Sequence, residues 1–301
     1  MNRNQRTLVA LAGTVADRPL VSYARLLADL GFARHYHFVH VQTPARIAAD
    51  QQSDAQLLAM CEELVEELFN PMRSGAAVSC HVKTGVRVDS LIEFSVQHHC
   101  DLILLGHRAS RSGQRSLARR LAMIAPCSVW MVPEGAPAAI TSIMAPIDFS
   151  DHAADSVETA AAIARAAGLE ELSATHVFAD PSMIRYDEHI DAIRKNEEES
   201  FEHFIAPLNQ HGVRVEPTFV EGNNVARTIL HRAKRHGTDL LVMNTRGRSR
   251  AASILLGSVT SQVMTEAPIA VFAVKHFGAA MNLFQALQQS QFWMRRNPKT
   301  N

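Results

Sequence analysis

Hydrophobic and polar positions follow two spacings along the chain, one typical of strands and one of helices. In the second half, apolar runs predict β-strands at 141–147, 171–178, 213–220, 239–244 and 269–274. Between them, apolar residues at helical spacing predict helices that include 157–164, 201–208, 225–233 and 259–266. The acidic run 196–200 is interpreted as the solvated start of the second of these helices. The near-continuous apolar strand at 239–243 is typical of a parallel sheet covered on both faces. We therefore predict an open, doubly wound α/β fold.

The chain contains an internal repeat of about 135 residues. The clearest matching stretches are HHCDLILLGHRA (98–109) with HGTDLLVMNTRG (236–247), and MIAPCSVWMVP (123–133) with TEAPIAVFAVK (265–275). A period this long indicates a duplicated domain and not a solenoid. We predict two tandem Rossmann-like domains at 1–135 and 140–276, joined by a Pro- and Gly-containing linker and followed by a helical tail at 277–301.

Composition and charge narrow the functional classes. Of the 301 residues, 47% are hydrophobic, which predicts globular domains able to bury a core. Thirty Lys and Arg balance thirty Asp and Glu, so the overall charge indicates neither a nucleic acid nor an anionic membrane as partner. No apolar run approaches the roughly 20 residues of a membrane span. The N-terminal TLVALAGTVA could pass for a short secretory signal, but its repeat position favours a first strand at 7–12.

The cysteines and histidines suggest no disulfide framework. The four cysteines lack CxxC spacing, which predicts reduced thiols and a cytoplasmic protein; they are Cys61, Cys80, Cys100 and Cys127. His98, His99 and Cys100 adjoin one another, with Cys80 and His81 in the same half, and metal ligation is one reading of them. The other reading is a histidine-bearing helix C-terminus, and we expect no metal.

A loop rich in glycine and arginine follows the strand that ends near Met243. Asn244 comes next, and two glycines, Gly247 and Gly257, bracket the loop before a helix opens. Doubly wound sheets bind ligands beyond the carboxyl ends of their strands. Glycines let a ligand approach the backbone, and free N–H groups at a helix start favour anions. Further groups suited to a polyphosphate are Arg246, Arg248, Ser258, Val259 and Thr260. The alternative is an ordinary turn and helix start with solvated arginines.

Two other strand ends reach the same edge of the predicted sheet. The first strand of the second repeat ends in APID, from Ala145 through Pro146 to Asp148. A carboxylate there can accept hydrogen bonds from ribose hydroxyls, or it can cap the next helix. The second strand ends in THVF, where the backbone of Val177 could meet an adenine edge.

These residues resemble the universal stress proteins, whose ATP-binding branch carries the pattern G-x2-G-x9-G-(S/T). Here the pattern reads N-x2-G-x9-G-S, from Asn244 through Gly247 to Gly257 and Ser258. The resemblance implies ATP, ADP or AMP as ligand, with or without Mg²⁺, and little or no hydrolysis. It implies that Asp148 contacts the ribose or adenine side and Val177 the adenine, while the phosphates meet Gly247, Gly257, Ser258, Val259 and Thr260. Asn244 replaces the first glycine, and asparagine tolerates the left-handed backbone that a glycine adopts.

The matching loop of the first repeat departs from this pattern. Arg115 stands opposite Gly257, and Gly13 or a neighbour stands opposite Asp148, with no carboxylate in place unless Asp17 shifts. We therefore predict that the first domain does not bind ATP in the family's manner. Arg115, Arg119 and Arg120 are expected on a solvated helix face or against another subunit.

The resemblance also implies how the domains assemble. Family members pair through their last strands, so 129–132 and 269–274 are expected to meet as a pseudo-dimer within one chain, and a homodimer of chains is a further option. The implied function is a nucleotide-responsive stress or signalling module. The alternatives are an interaction protein with both sites vestigial, and an enzyme acting on adenylate, for which no nucleophile–base pair is visible. The tail at 277–301 either docks on its own domain or binds an unidentified protein partner.

Overall fold

The computed structural model describes residues 5–14, 16–45, 53–69, 75–107, 117–178, 187–245 and 256–275. The first half contains strands and helices in alternation: β1 (Arg6–Leu11), α1 (Asp17–Asp29), β2 (His35–Gln42), α2 (Asp54–Leu68), β3 (Ala77–Thr84), α3 (Arg87–Gln97), β4 (Leu102–His107), α4 (Leu117–Ile124) and β5 (Ser128–Pro133). The second half repeats the order: β6 (Ile143–Ile147), α5 (Asp151–Ala166), β7 (Glu171–Phe178), α6 (Asp187–Ile205), β8 (Arg214–Glu221), α7 (Val225–Arg235), β9 (Leu240–Asn244), α8 (Ser258–Glu266) and β10 (Ala270–Val274).

All strands join one ten-stranded sheet in the order β3-β2-β1-β4-β5-β10-β9-β6-β7-β8. Neighbouring strands are parallel except β5 and β10, which run antiparallel with Trp130 opposite Phe272. Each half therefore has its own change of direction in strand order, between β1 and β4 and between β6 and β9. The predicted pair of doubly wound domains, joined as a pseudo-dimer through their last strands, is confirmed.

Two apolar layers sandwich this sheet, and each layer runs through both halves. One layer includes residues of α1, α2, α5 and α6, and the other includes residues of α3, α4, α7 and α8. At the junction the Trp130 and Phe272 rings stack with centroids 4.6 Å apart and planes 18° apart. The Arg119 guanidinium on α4 also donates to the Ser261 hydroxyl on α8. The expectation that Arg119 is solvated or meets another subunit is therefore wrong, because it contacts the second domain. Arg120 is exposed, as predicted, and Arg115 lies outside the described residues.

Local chemistry explains where several helices begin and end. Ser53 and Gln56 form a reciprocal capping box at α2, and Asn224 caps α7. Gly168 follows the end of α5 with a φ of +75°, a left-handed conformation that glycine commonly adopts just after a helix. The prediction for α6 was wrong at both ends. The helix begins at Asp187 and ends at Ile205, so the acidic run 196–200 is helix interior and not a start. Strongly polar helix turns have no apolar period by which sequence could detect them.

Other expectations concern the whole chain. The four cysteines are free thiols, three of them buried and Cys80 half-buried. In the described ranges, no helix has the length and apolar character needed to span a bilayer. The predicted tail at 277–301 lies outside the described residues.

Candidate functional site

The carboxyl edge of the second domain brings together the ends of β6 and β9. These strands are neighbours in the sheet, with Ile143 opposite Leu240 and Met144 opposite Leu241. Asp148 directly follows β6, and Asn244 is the last residue of β9. The crevice at the change of strand order therefore lies between residues that the sequence pattern selects. Arg246, Gly247 and Arg248 of the predicted loop lie outside the described residues.

Asn244 connects the two helices that start at this crevice. Its side-chain amide donates to the backbone carbonyl of His152 in the first turn of α5, at 2.9 Å. Its own carbonyl accepts from the hydroxyl of Thr260 in the first turn of α8, at 2.8 Å. Asn244 ends a strand and is not among the residues with positive φ. Asn244 therefore does not adopt the left-handed backbone that asparagine tolerates. Its hydrogen bonds instead hold the starts of α5 and α8 in place.

Helix α8 begins without a capping side chain. Gly257 occupies the N-cap with φ −54° and ψ 145°, and its N–H donates to the Thr245 carbonyl at 2.9 Å. Ser258 is exposed, whereas Thr260 is buried with its hydroxyl engaged by β9. The first backbone N–H groups of a helix have no partners within the helix, and they carry the positive end of its dipole. This turn is therefore a surface suited to anions.

Asp148 is not the cap of α5, which settles one alternative left by the sequence. Ser150 is the cap, accepting from the Ala153 N–H at 3.2 Å. One Asp148 carboxylate oxygen accepts from the Ser150 hydroxyl at 2.6 Å and from the Ser150 N–H at 3.2 Å. The carboxylate is half-buried at the crevice and anchored through its neighbour. Phe149 between them has a φ of +59°, a strained backbone for a bulky residue and a common mark of functional sites.

The second strand of the domain completes the adenine side of the predicted site. Val177 is half-buried near the end of β7 and packs on the core of the α7 and α8 layer. Its neighbour His176 lies 2.9 Å from the carbonyl of Ile147 through Nδ1 and 3.4 Å from a Glu197 carboxylate oxygen through Nε2. The Phe149 ring lies 4.5 Å from the His176 ring. Sequence reasoning missed Phe149 and Glu197, because a backbone angle and a contact from a distant helix leave no local pattern.

Two further predicted site residues belong to the sheet itself. Pro146 is half-buried in β6 opposite Thr175 of β7. Met243 is 4% exposed, and its side chain is part of the core. A ligand would therefore meet Met243 through its backbone, while part of the Pro146 ring stays accessible.

In the first domain, the backbone donors at the equivalent strand end are satisfied by a side chain of the same domain. Ala12 follows β1 as Asp148 follows β6, and no carboxylate stands there. Instead the Asp17 carboxylate at the start of α1 accepts from the N–H groups of Ala12, Gly13 and Thr14, at 2.8, 2.7 and 3.0 Å. Asp17 is only 4% exposed. An internal carboxylate thus occupies the backbone donors that follow β1.

The histidines weighed as metal ligands form a cluster of a different kind. Among the described residues, no three His, Cys, Asp or Glu side chains are placed to hold a metal ion. His37, His81 and His98 pack around Phe94, with the His98 ring stacked on Phe94 at 4.0 Å. His98 is the C-cap of α3, as the alternative to metal ligation predicts. Burial, followed by the neighbouring His98 and His81, lowers the pKa of His37 to about 4.

Fold and crevices together define a class: tandem doubly wound α/β domains that share one sheet and place helix starts at the change of strand order. A model of the universal stress protein family matches residues 3–133 and again residues 139–275. The chain belongs to the universal stress protein family and carries its domain twice.

Individual relatives support this assignment. A universal stress protein of Thermus aquaticus, from the region 3′ of a QAH/OAS sulfhydrylase, is 30% identical over 135 residues, covering 44% of this chain and 98% of that protein. A solved structure from Pseudomonas aeruginosa UCBPP-PA14, named for the same family, aligns over 95% of this chain and 98% of its own, with a TM-score of 0.68 and 17% identity. A universal stress protein structure from Archaeoglobus fulgidus DSM 4304 covers 89% of this chain and 98% of its own, with a TM-score of 0.59 and 16% identity. These two structures share the fold.

Proposed function

We propose that this protein is a nucleotide-responsive stress module whose second domain binds ATP, ADP or AMP, while its first domain does not. The observation that carries the proposal is the difference between the two crevices. After β1 the backbone donors are held by Asp17, and Ala12 stands where a carboxylate for the ribose would be needed. At the equivalent place in the second domain Asp148 follows β6, and α8 starts at the same edge with no side chain capping it.

The phosphates are assigned to the first turn of α8. The N–H groups of Ser258 and Val259 and the exposed Ser258 hydroxyl supply donors there. The buried Thr260 hydroxyl positions this turn against Asn244 and contributes its backbone to the phosphate site. Gly247 is assigned to the same phosphates by its place in the family pattern, and Arg246 and Arg248 are assigned to them by their positive charge in the same loop.

The nucleoside is assigned to the other side of the crevice. Asp148 can accept hydrogen bonds from ribose hydroxyls, as acidic residues do in dinucleotide folds. The Val177 backbone is assigned to the adenine edge. Binding, and not turnover, is the proposed role, because the described residues of the site supply donors for phosphates but no nucleophile paired with a base. A Mg²⁺ ion would accompany the nucleotide through its phosphates.

Titration calorimetry of the intact protein with ATP and Mg²⁺ tests this proposal. We expect one site per chain. Gly257→Arg places in the second domain the residue that the first domain has at the equivalent position, and it should abolish the binding heat. The Gly257 backbone angles are open to any residue, so this variant should fold. Arg115→Ala is the matched control and should bind like the parent.

Two outcomes of the titration would contradict this proposal. Two sites per chain would show that Asp17 does not close the first crevice. No heat from the parent protein would favour the other function, an interaction protein whose crevices are both vestigial.

A further inference from the structure

The first domain, although closed to phosphates at the end of β1, contains a large cavity. Its volume is about 950 Å³, and it lies at the carboxyl ends of β1, β2, β4 and β5. Pockets for small molecules are typically about 300–1,000 Å³. The walls are mainly aliphatic and include Leu11, Leu20, Val41, Leu91, Leu105 and Val132. The volume and the walls suit an organic molecule with an apolar body.

The charges around this cavity disfavour a polyphosphate. Asp17 lines it with a carboxylate that already holds three backbone donors, and Glu134 lines it as well. Among the described lining residues, Arg87 at the start of α3 is the cation. One arginine can balance a single negative charge, and the carboxylates of the described lining disfavour the several charges of a triphosphate.

Two polar groups in the lining have no hydrogen-bond partner at their polar ends within the described residues. Within the described ranges, Arg87 is half-buried and makes no hydrogen bond or ion pair. The His107 ring also lines the cavity, and its Nε2 is buried without a hydrogen-bond partner. Burial lowers the pKa of His107, which favours the neutral ring. In the neutral tautomer with its hydrogen on Nδ1, the buried Nε2 is an acceptor that lacks a donor.

We propose that the first-domain cavity binds an apolar monoanion that carries one N–H or O–H group. The apolar body fills the space between the aliphatic walls, the acidic group pairs with Arg87, and the N–H or O–H donates to His107 Nε2. An aromatic carboxylate or sulfonate with an amino or hydroxyl substituent has this chemistry. The inference does not depend on nucleotide binding by the second domain. It gives the first domain a ligand of its own in a crevice whose backbone donors after β1 are held by Asp17.

The probe for the test is 1-anilinonaphthalene-8-sulfonate, which has two aromatic units, one sulfonate and one N–H. Its fluorescence is titrated with the intact protein in the presence of ATP and Mg²⁺ at a concentration that would fill the second domain. We expect one probe per chain, undisturbed by ATP. Gly106→Leu fills the cavity from β4, where an added Cβ would meet only Leu20, at 4.0 Å. This variant should weaken probe binding by about tenfold or more, the effect of about 1.4 kcal/mol.

A second variant tests the charge pairing independently of cavity shape. Arg87→Gln should weaken probe binding by about tenfold, as expected for loss of a charged hydrogen bond. Arg120→Gln removes an exposed arginine of the same domain that does not line the cavity, and it should bind the probe like the parent. Circular dichroism and thermal unfolding verify that each variant is folded.

The proposal is overturned if ATP displaces the probe, since the probe would then occupy a nucleotide crevice. It is also overturned if folded Gly106→Leu and Arg87→Gln both bind the probe with parental affinity. Failure of ATP to bind at all would reject the proposed function of the second domain and leave this result unaffected.

Discussion

The stacked pair Trp130 and Phe272 should carry much of the coupling between the two domains. Trp130 is fully buried in β5, and besides Phe272 it makes edge contacts with Tyr23 and Phe32, at 5.8 and 5.5 Å. Replacing a buried tryptophan by alanine typically costs about 3–5 kcal/mol through lost transfer energy and the cavity left behind. With contacts from both domains around it, Trp130→Ala should fall in the upper part of that range. The free energy of unfolding is obtained from urea denaturation followed by circular dichroism.

A double-mutant cycle isolates the contact across the junction. Trp130→Ala and Phe272→Ala are measured singly and together, and an aromatic pair of this geometry should give a coupling energy of about 0.5–1.5 kcal/mol. The matched control pairs Trp130→Ala with Phe38→Ala. Phe38 is equally buried but lies on β2, three strands away from β5 at roughly 4.8 Å per strand. This control should be additive within about 0.5 kcal/mol. A Trp130→Ala cost below about 1 kcal/mol, or equal coupling in both cycles, would refute a packed junction.

Three further changes test the crevices and the histidine cluster. Asp17→Asn replaces a carboxylate that accepts from three backbone N–H groups by an amide that is partly a donor, so the free energy of unfolding in urea should fall by about 2–3 kcal/mol. The ATP stoichiometry should stay at one site. A change in unfolding free energy below about 0.5 kcal/mol would contradict the role of Asp17 in holding these donors. Burial and the neighbouring His98 and His81 lower the pKa of His37 from 6.5 to about 4. Between these two values the folded state binds fewer protons than the unfolded state. The stability present above pH 6.5 should therefore be lost as the pH falls toward 4. The free energy of unfolding should fall by about 1–2 kcal/mol over this pH range, after allowance for the partial exposure of His37, and by less in His37→Phe. If the parent and His37→Phe lose stability equally as the pH falls, His37 does not cause the loss. Asn244→Gly removes the hydrogen bond to α5 and places glycine in a strand, so the free energy of unfolding should fall by about 1–2 kcal/mol. Calorimetry should find an ATP affinity within about threefold of the parent, because the amide is directed at α5. A much larger change in affinity would show that this side chain contacts the nucleotide.

Sequence pattern was sufficient for the fold, and it selected Asp148 and Asn244, which the structure places at one edge of the sheet. The strands β6 to β10 lie within one or two residues of the apolar runs that predict them, because burial on both faces of a parallel sheet demands continuous apolar stretches. The helix that opens after Gly257 was also readable, since glycine, serine and threonine mark a helix start in a short stretch. The pairing of β5 with β10 was predicted from the repeat together with the resemblance to a family whose members associate through their last strands.

What each crevice can accept was decided by the tertiary structure. Asp17 reaches back to fill the donors after β1, and Asn244 connects the starts of α5 and α8, which lie far apart along the chain. Arg119 contacts Ser261 across a separation of 142 residues. Hydrophobic periodicity is a property of neighbouring positions and so can be read from the sequence. The partner of a polar side chain depends on which distant segments the assembled sheet brings within hydrogen-bond distance, and that is set only when the two domains fold together.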